Sequence, residues 1–185
     1  MKATIGLSEE HRVIERVLDA LEMAASKLES GKSVSPEFFL SATDFIRGFA
    51  DGCHHKKEEG VLFPRMNELG IPYEDGPLGV MLAEHESGRS HTRALHAAAQ
   101  DLKAGDLSAN ERVIQSARDY VALLHQHIYK EDHILFPMAD RVIPVEQYDS
   151  VWEGFERVEH TETGEGVHEK YLALAEALEL EITEI

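Results

Sequence analysis

Apolar residues recur every three or four positions through most of the chain, the signature of amphipathic helices packed on one another. In the first stretch the apolar face reads Leu7, Ile14, Leu18, Leu21, Ala25 and Leu28, and His11 falls on that face. Ser8 is a suitable N-cap, Glu9 and Glu10 suit a first turn, and Gly31 is a stop signal. A second helix opens with Ser35 as N-cap and Pro36 at the first position, where a missing N–H costs nothing. It carries Phe38, Phe39, Ala42, Phe45, Ile46, Phe49 and Cys53, and Pro64 should end or kink it. Residues 69–77 have the Gly and Pro content of a loop. A third helix runs from near Pro77 past His85 to about Gly105. A fourth opens at Ser108 and passes Val113, Ala117, Tyr120, Val121 and Leu124 before stopping near Pro137. Pro144 opens a fifth helical stretch, Gly164 and Gly166 interrupt it, and a last helix covers about Val167 to Ile182. No segment alternates with the period of a strand. The pattern predicts an all-α fold: an up-down four-helix bundle over residues 1–142 and an acidic helical extension, 143–185, fastened to it by Trp152, Phe155 and Tyr171.

Superposed on this pattern is a duplication. The segment from His54 to Pro64 and the segment from His127 to Pro137 share six identities: His54/His127, Lys57/Lys130, Glu58/Glu131, Leu62/Leu135, Phe63/Phe136 and Pro64/Pro137. In each copy the His and the Glu stand four apart, so on a helix they share one face. The register His55 with Glu59 has the same spacing, but the Leu-Phe-Pro alignment disfavours it. With His11 and His85 on the inward lines of the first and third helices, the four helices together offer His11, His54, Glu58, His85, His127 and Glu131. Six such ligands are too many for one tetrahedral zinc and too rich in nitrogen for magnesium or calcium. Imidazole with carboxylate suits iron, and also admits manganese or zinc. Two metals bridged by both glutamates would use all six side chains, and their charge would compensate the buried carboxylates.

The remaining polar residues have plainer readings. His55 lies about a quarter-turn round the helix from His54 and is expected to be exposed. Glu59 and Asp132 are expected to turn away from the ligand face and be dispensable. His91, His96, His125 and His133 read as solvated or peripheral, and Cys53 as a small buried apolar residue. Tyr120 reads as core as readily as a hydrogen-bonding group at the site. His168 is the extension residue that could reach the open end of the bundle.

A net charge of −17 argues against nucleic acid and anionic membrane as partners. The acid is concentrated late: residues 145–185 hold twelve Asp and Glu against Arg157 and Lys170, a net of −10. No apolar run is long enough to span a membrane, the first residues lack the apolar core of a signal peptide, and one cysteine cannot form an internal disulfide. Together these favour the cytoplasm.

The combined motifs resemble the hemerythrin-like, or HHE cation-binding, domain. The resemblance rests on an early His (His11), a His-x-x-x-Glu running into Leu-Phe-Pro (His54, Glu58), a Glu-His pair (Glu84-His85) and a second His-x-x-x-Glu (His127, Glu131), across roughly residues 7–140. It implies a bundle of the hemerythrin type around a carboxylate-bridged centre of two iron ions. It also implies a small ligand: dioxygen, nitric oxide or peroxide. Oxygen carriers of the family have a further His four residues after the one on the third helix, and Arg89 stands there. They take the fourth-helix carboxylate five residues after its His, which here is Asp132; the repeat favours Glu131 instead. On this reading a fifth imidazole is missing and simple oxygen carriage is disfavoured. The expected function is to bind or process a small oxidant. The alternative is an iron or oxygen sensor, or a metal store, that signals through a partner without turnover. A homodimer is compatible with either.

Overall fold

The computed structural model describes residues 3–184, apart from the Glu162 side chain, and shows no strand among them. The first helix, α1 (Ile5–Glu29), begins one turn before the Ser8 cap suggested by sequence. Ala3 and Leu7 are already buried in the core, and the Thr4 hydroxyl is tied to the Asp140 carboxylate at 3.1 Å. Gly31 ends the helix at φ +81°, a conformation a Cβ would strain. The next helix, α2 (Pro36–Phe45), has Ser35 at its cap as expected, with the Ser35 hydroxyl accepting from the Glu37 N–H.

Beyond Phe45 the same rod continues differently from the sequence expectation. It passes through two π-helical stretches, Ile46–His55 and Glu58–Leu62, and then into α3 (Phe63–Glu68). Pro64 does not stop the rod. A π-turn with Phe63 N–H bonded to the Glu58 carbonyl, five residues back, leads into α3 with Pro64 in its first turn, where no N–H is needed. The third rod is α4 (Pro77–Lys103). The fourth rod repeats the device: α5 (Ala109–Lys130), a π-turn over Glu131–Leu135, and α6 (Phe136–Val142) with Pro137 in its first turn.

Two apolar clusters fill the bundle. One contains Ile14, Leu18, Phe38, Phe45, Phe49, Leu95 and Leu124 among others; the second contains Leu7, Leu62, Phe63, Met81, Leu135 and Phe136. On every bundle rod the buried His and Glu residues lie between these clusters, so a polar layer crosses an otherwise apolar core.

The extension comprises a short 3-10 turn, α7 (Tyr148–Glu156), a π-helical stretch (Arg157–Gly164) and α8 (Val167–Glu184). The last helix packs against both α1 and α2 and covers the seam between them. Two glycines make this docking close. A Cβ on Gly48 would stand 2.0 Å from the Tyr171 ring, and one on Gly154 2.6 Å from Val61. Tyr171 and Phe155 are buried there. Trp152 lies over Gly6, 3.8 Å from where its Cβ would be. No helix of the described residues is long and apolar enough to cross a membrane.

Candidate metal centre

Seven side chains, not six, converge in the polar layer. His11, His54, His85, His127, Glu58 and Glu131 are all buried. His55, expected at the surface, is only 3 % exposed and stacks on His85 with ring centroids 3.9 Å apart. The reason is the π-helix. With i→i+5 bonding each residue turns the chain by less than the ~100° of an α-helix, so two consecutive residues can face the same cleft. Gly52 permits this turn: a Cβ there would lie 2.9 Å from the Arg47 carbonyl, five residues back. The sequence signal was present in the His-His pair behind a glycine, but α-helical geometry misplaces it.

The donor atoms form two groups that share a glutamate. One group is His55, Glu58, His85 and His127; the other is His11, His54, Glu58 and Glu131; in each, the ligand atoms lie within 4.8 Å of one another. Each carboxylate spans both groups. Glu58 Oε1 is 3.6 Å from His54 Nε2 and its Oε2 is 3.4 Å from His85 Nε2. Glu131 Oε1 is 3.2 Å from His127 Nε2 and its Oε2 is 3.1 Å from His11 Nε2. Glu131, the inward residue of its pair, is fully buried, whereas Asp132 lies at the edge of the layer.

All five imidazoles are held the same way. Each Nδ1–H donates to a carboxylate: His11 to Asp132 at 2.8 Å, His54 to Glu10 at 2.8 Å, His55 to Asp51 at 2.9 Å, His85 to Glu59 at 2.7 Å and His127 to Glu84 at 2.9 Å. A carboxylate only accepts, so each ring is fixed in the tautomer that turns the Nε2 lone pair inward. Glu59 and Asp132 are therefore not bystanders, as the α-helical projection suggested. They turn away from the ligand face, but onto the seam with the neighbouring helix, where they hold the histidine opposite. Cations brace these carboxylates in turn: Lys57 pairs with Glu10, Lys130 with Glu84, Arg12 with Asp132, and Arg89 with Glu59. The repeated Leu-Phe-Pro also has a role. Phe136 stacks on His11 at 5.2 Å and Phe63 on His85 at 5.9 Å, so each copy walls the histidine of the other half.

Without a cation the layer is electrostatically unbalanced. Burial and the nearby Glu131 push Glu58 well above the usual carboxylate range. Burial also works against the charge on Glu131, but His127 and His11 overcome it and hold this carboxyl low. His127 is raised to about 9, because Glu131 and Glu84 outweigh the burial that would lower it. Burial lowers His54 to about 4 and lowers His55 and His85 as well. None of the four oxygens of Glu58 and Glu131, nor Nε2 of His11 or His54, has a hydrogen-bond partner among the described residues. Inward imidazole lone pairs and unsatisfied buried carboxylates are the donor set of a metal site.

The family comparison agrees. The hemerythrin HHE cation binding domain matches residues 5–139. The chain belongs to the hemerythrin family. Similar sequences include uncharacterized proteins of Mycobacterium bovis and Mycobacterium tuberculosis, each 26% identical over 159 residues. The aligned region covers 86% of this chain and 62% of each of those longer proteins. No solved structure matches the chain.

The other histidines lie apart from the hemerythrin layer. His125 and His133 are exposed. His96 is half-buried, with its Nδ1 3.0 Å from the Thr43 hydroxyl. Tyr120 is buried in the larger apolar cluster with no partner for its hydroxyl among the described residues. Cys53 is buried, and burial raises its thiol to about 11. His168 does not enter the layer; it sits at the seam between extension and bundle, edge-on to Phe49.

Proposed function

We propose that this chain is a non-heme di-iron protein that binds or processes a small oxidant at a carboxylate-bridged centre. The observation that carries the reading is the asymmetric donor set. Three imidazoles, from His55, His85 and His127, face one metal position, and two, from His11 and His54, face the other, with Glu58 and Glu131 reaching both. Bound iron would supply electrons and an open coordination position. The position with one imidazole fewer is the natural place for dioxygen, nitric oxide or peroxide. Arg89 no longer argues against reversible dioxygen binding, because the π-helical stretch after α2 contributes the fifth imidazole through His55. The protein's own part is to fix the five imidazoles through their Nδ1 bonds, bridge through two glutamates, and keep bulk water out with the apolar clusters on either side.

The experiment is metal analysis of protein from iron-replete cells, with absorption spectra before and after exposure to oxygen and to nitric oxide. The expected result is two iron ions per chain and an optical band that changes with one of these gases. Saturation at a single metal would remove the di-iron reading. Two irons with a spectrum indifferent to oxygen, nitric oxide and peroxide would favour a store over an oxidant-binding protein.

A further inference from the structure

A third group of metal-ligating side chains lies outside the central layer. Glu10 on α1, Cys53 on the π-helical stretch after α2, Glu159 on the stretch after α7, and His168 at the start of α8 place one donor atom each within 4.8 Å of one another. Two come from the bundle and two from the extension, which lies beyond the family-matched residues. Glu10 and Cys53 are buried; Glu159 and His168 are each 21 % exposed, at the floor of a cavity of about 320 Å³ between α1 and the extension. Three features set the group apart from an ordinary acidic patch. It contains an imidazole and the chain's one thiol. His168 Nδ1 is a buried nitrogen with no hydrogen-bond partner among the described residues, 3.3 Å from Glu159. And a cation already occupies the gap: the Lys57 ammonium bridges Glu10 and Glu159 at 2.5 Å each.

We propose that Glu10, Cys53, Glu159 and His168 form a third cation site, for a divalent transition metal, that closes when the extension docks. The donor set of thiolate, imidazole and two carboxylates suits zinc, cobalt or ferrous iron and not magnesium or calcium. Lys57 is the counter-charge of the empty state. Its long stem lets the ammonium swing into the cavity when a metal takes its place, so the site is weaker than the central pair. Glu10 gives one oxygen to Lys57 and the other to His54, which places the third site one residue away from the buried centre.

The test is a cobalt(II) titration of the full chain, metal-free and with the central pair filled. Cys53 is the chain's one cysteine and belongs to neither central group, so a thiolate-to-cobalt charge-transfer band reports this site alone. The expected result is such a band in both preparations, saturating with one ion beyond the central set. Cys53→Ser should abolish it. His168→Ala, at a half-buried position, should weaken the ion's affinity by about tenfold or more, the scale of losing a supporting ligand. Circular dichroism establishes that both variants fold. No thiolate band at saturating cobalt, or unchanged affinity in His168→Ala, would reduce the group to an ion-pair cluster that pins the extension. A central pair that failed to fill would leave the band in place, so the two readings fail separately.

Discussion

The two halves of the bundle build the same device twice and then differ at one pair of residues that the device uses, a histidine and the carboxylate that holds it. In the first half the α1 residue Glu10 holds His54 and is braced by Lys57; in the second the α4 residue Glu84 holds His127 and is braced by Lys130. Across the halves, Glu59 holds His85 and Asp132 holds His11. Six identities in the repeat are thus the residues this duplicated layer uses: the inward histidine, the lysine brace, the glutamate that spans both donor groups, and the Leu-Phe-Pro that walls the histidine opposite. The difference lies one position on. Where the first half has His55, the second has Ile128, buried in the apolar cluster. Where the first has Asp51 to hold that ring, the second has Leu124. A symmetric scaffold becomes a three-imidazole side and a two-imidazole side through one substituted pair.

The largest effect should come from the elements the halves share. Each glutamate reaches both donor groups, so Glu58→Ala and Glu131→Ala should each empty the whole centre, with equal loss of metal. A site filled at a thousandfold excess over its dissociation constant stabilises the fold by about 4 kcal/mol. At roughly 2–4 °C per kcal/mol for a domain of this size, either variant, or chelation of the wild type, should lower Tm by on the order of 10 °C. Asp132→Ala should keep most of its metal. If Asp132→Ala lost its metal while Glu131→Ala kept it, the bridging assignment would be overturned.

The next effect isolates the difference. His55→Ile gives the first half the residue of the second. It should leave the His11/His54 side able to hold its metal and cost the other side about tenfold or more in affinity, read as one retained ion per chain under competition with a chelator. Retention of both ions at unchanged affinity would make His55 a stacking partner of His85 and nothing more.

These contrasts also mark where the sequence was legible. Period and punctuation gave the rods, because Ser35-Pro36, Gly31 and Gly105 act through local backbone chemistry that tertiary packing does not override. The residues at four-residue spacing converge for the same reason: one helical face points one way. What could not be read was anything set by the departure from α-helical turn. His55 moved inward because π-turns rotate the chain less per residue, and Arg89 looked like a lost ligand because its replacement came from another helix. The supporting carboxylates had a signal that α-helical projection cannot weigh. Glu10-His11 and Glu84-His85 repeat a dipeptide whose acid serves the histidine of the following helix. The docking of the extension depended on Gly48 and Gly154, whose role appears only with Tyr171 and Val61 in place.

A smaller contrast separates the two braces. Lys57 is buried, whereas Lys130 is one-third exposed. Removing one partner of a buried pair leaves an uncompensated charge, at a cost of about 3 kcal/mol, whereas an exposed pair contributes under about 1 kcal/mol. Chemical denaturation should therefore find Lys57→Met much less stable than Lys130→Met. The pH dependence follows. Burial pushes Glu10 upward, but His54 and Lys57 together hold it at about 2, below its ordinary 4.5. A depressed carboxyl contributes stability that is present above pH 4.5 and is lost as pH falls from 4.5 towards 2. Lys57→Met relaxes part of that depression, so its acid-side loss of stability should be shallower than the wild type's. Equal stability and equal acid profiles for the two variants would mean that the halves do not differ in how deeply their braces are buried.

The smallest effect concerns the arginines. Of the carboxylates that hold an imidazole, Arg12 braces one, Asp132; its other carboxylate partner is Glu15, one turn on at 2.9 Å, and the guanidinium is mostly solvated. Arg89 is less exposed and, besides Glu86 at 3.6 Å, reaches two carboxylates that hold imidazoles: it donates to Glu59 at 2.5 Å and lies 3.7 Å from Asp51. Those two carboxylates hold His85 and His55, neighbours in the three-imidazole group. Arg89→Ala should thus loosen two ligands of one metal, about a tenfold loss of affinity on that side, whereas Arg12→Ala should change affinity by about twofold or less. The double variant sharpens the point. In a His55→Ile background Asp51 has no ligand to hold, so only the Glu59 half of Arg89's contribution remains, and the two substitutions should combine to less than the sum of their separate effects. Full additivity would mean that Arg89 acts independently of His55. Losses of about twofold or less from both Arg12→Ala and Arg89→Ala would mean that the carboxylates orient their histidines without help from the cations behind them, and that the position where carriers place a histidine contributes nothing to this one.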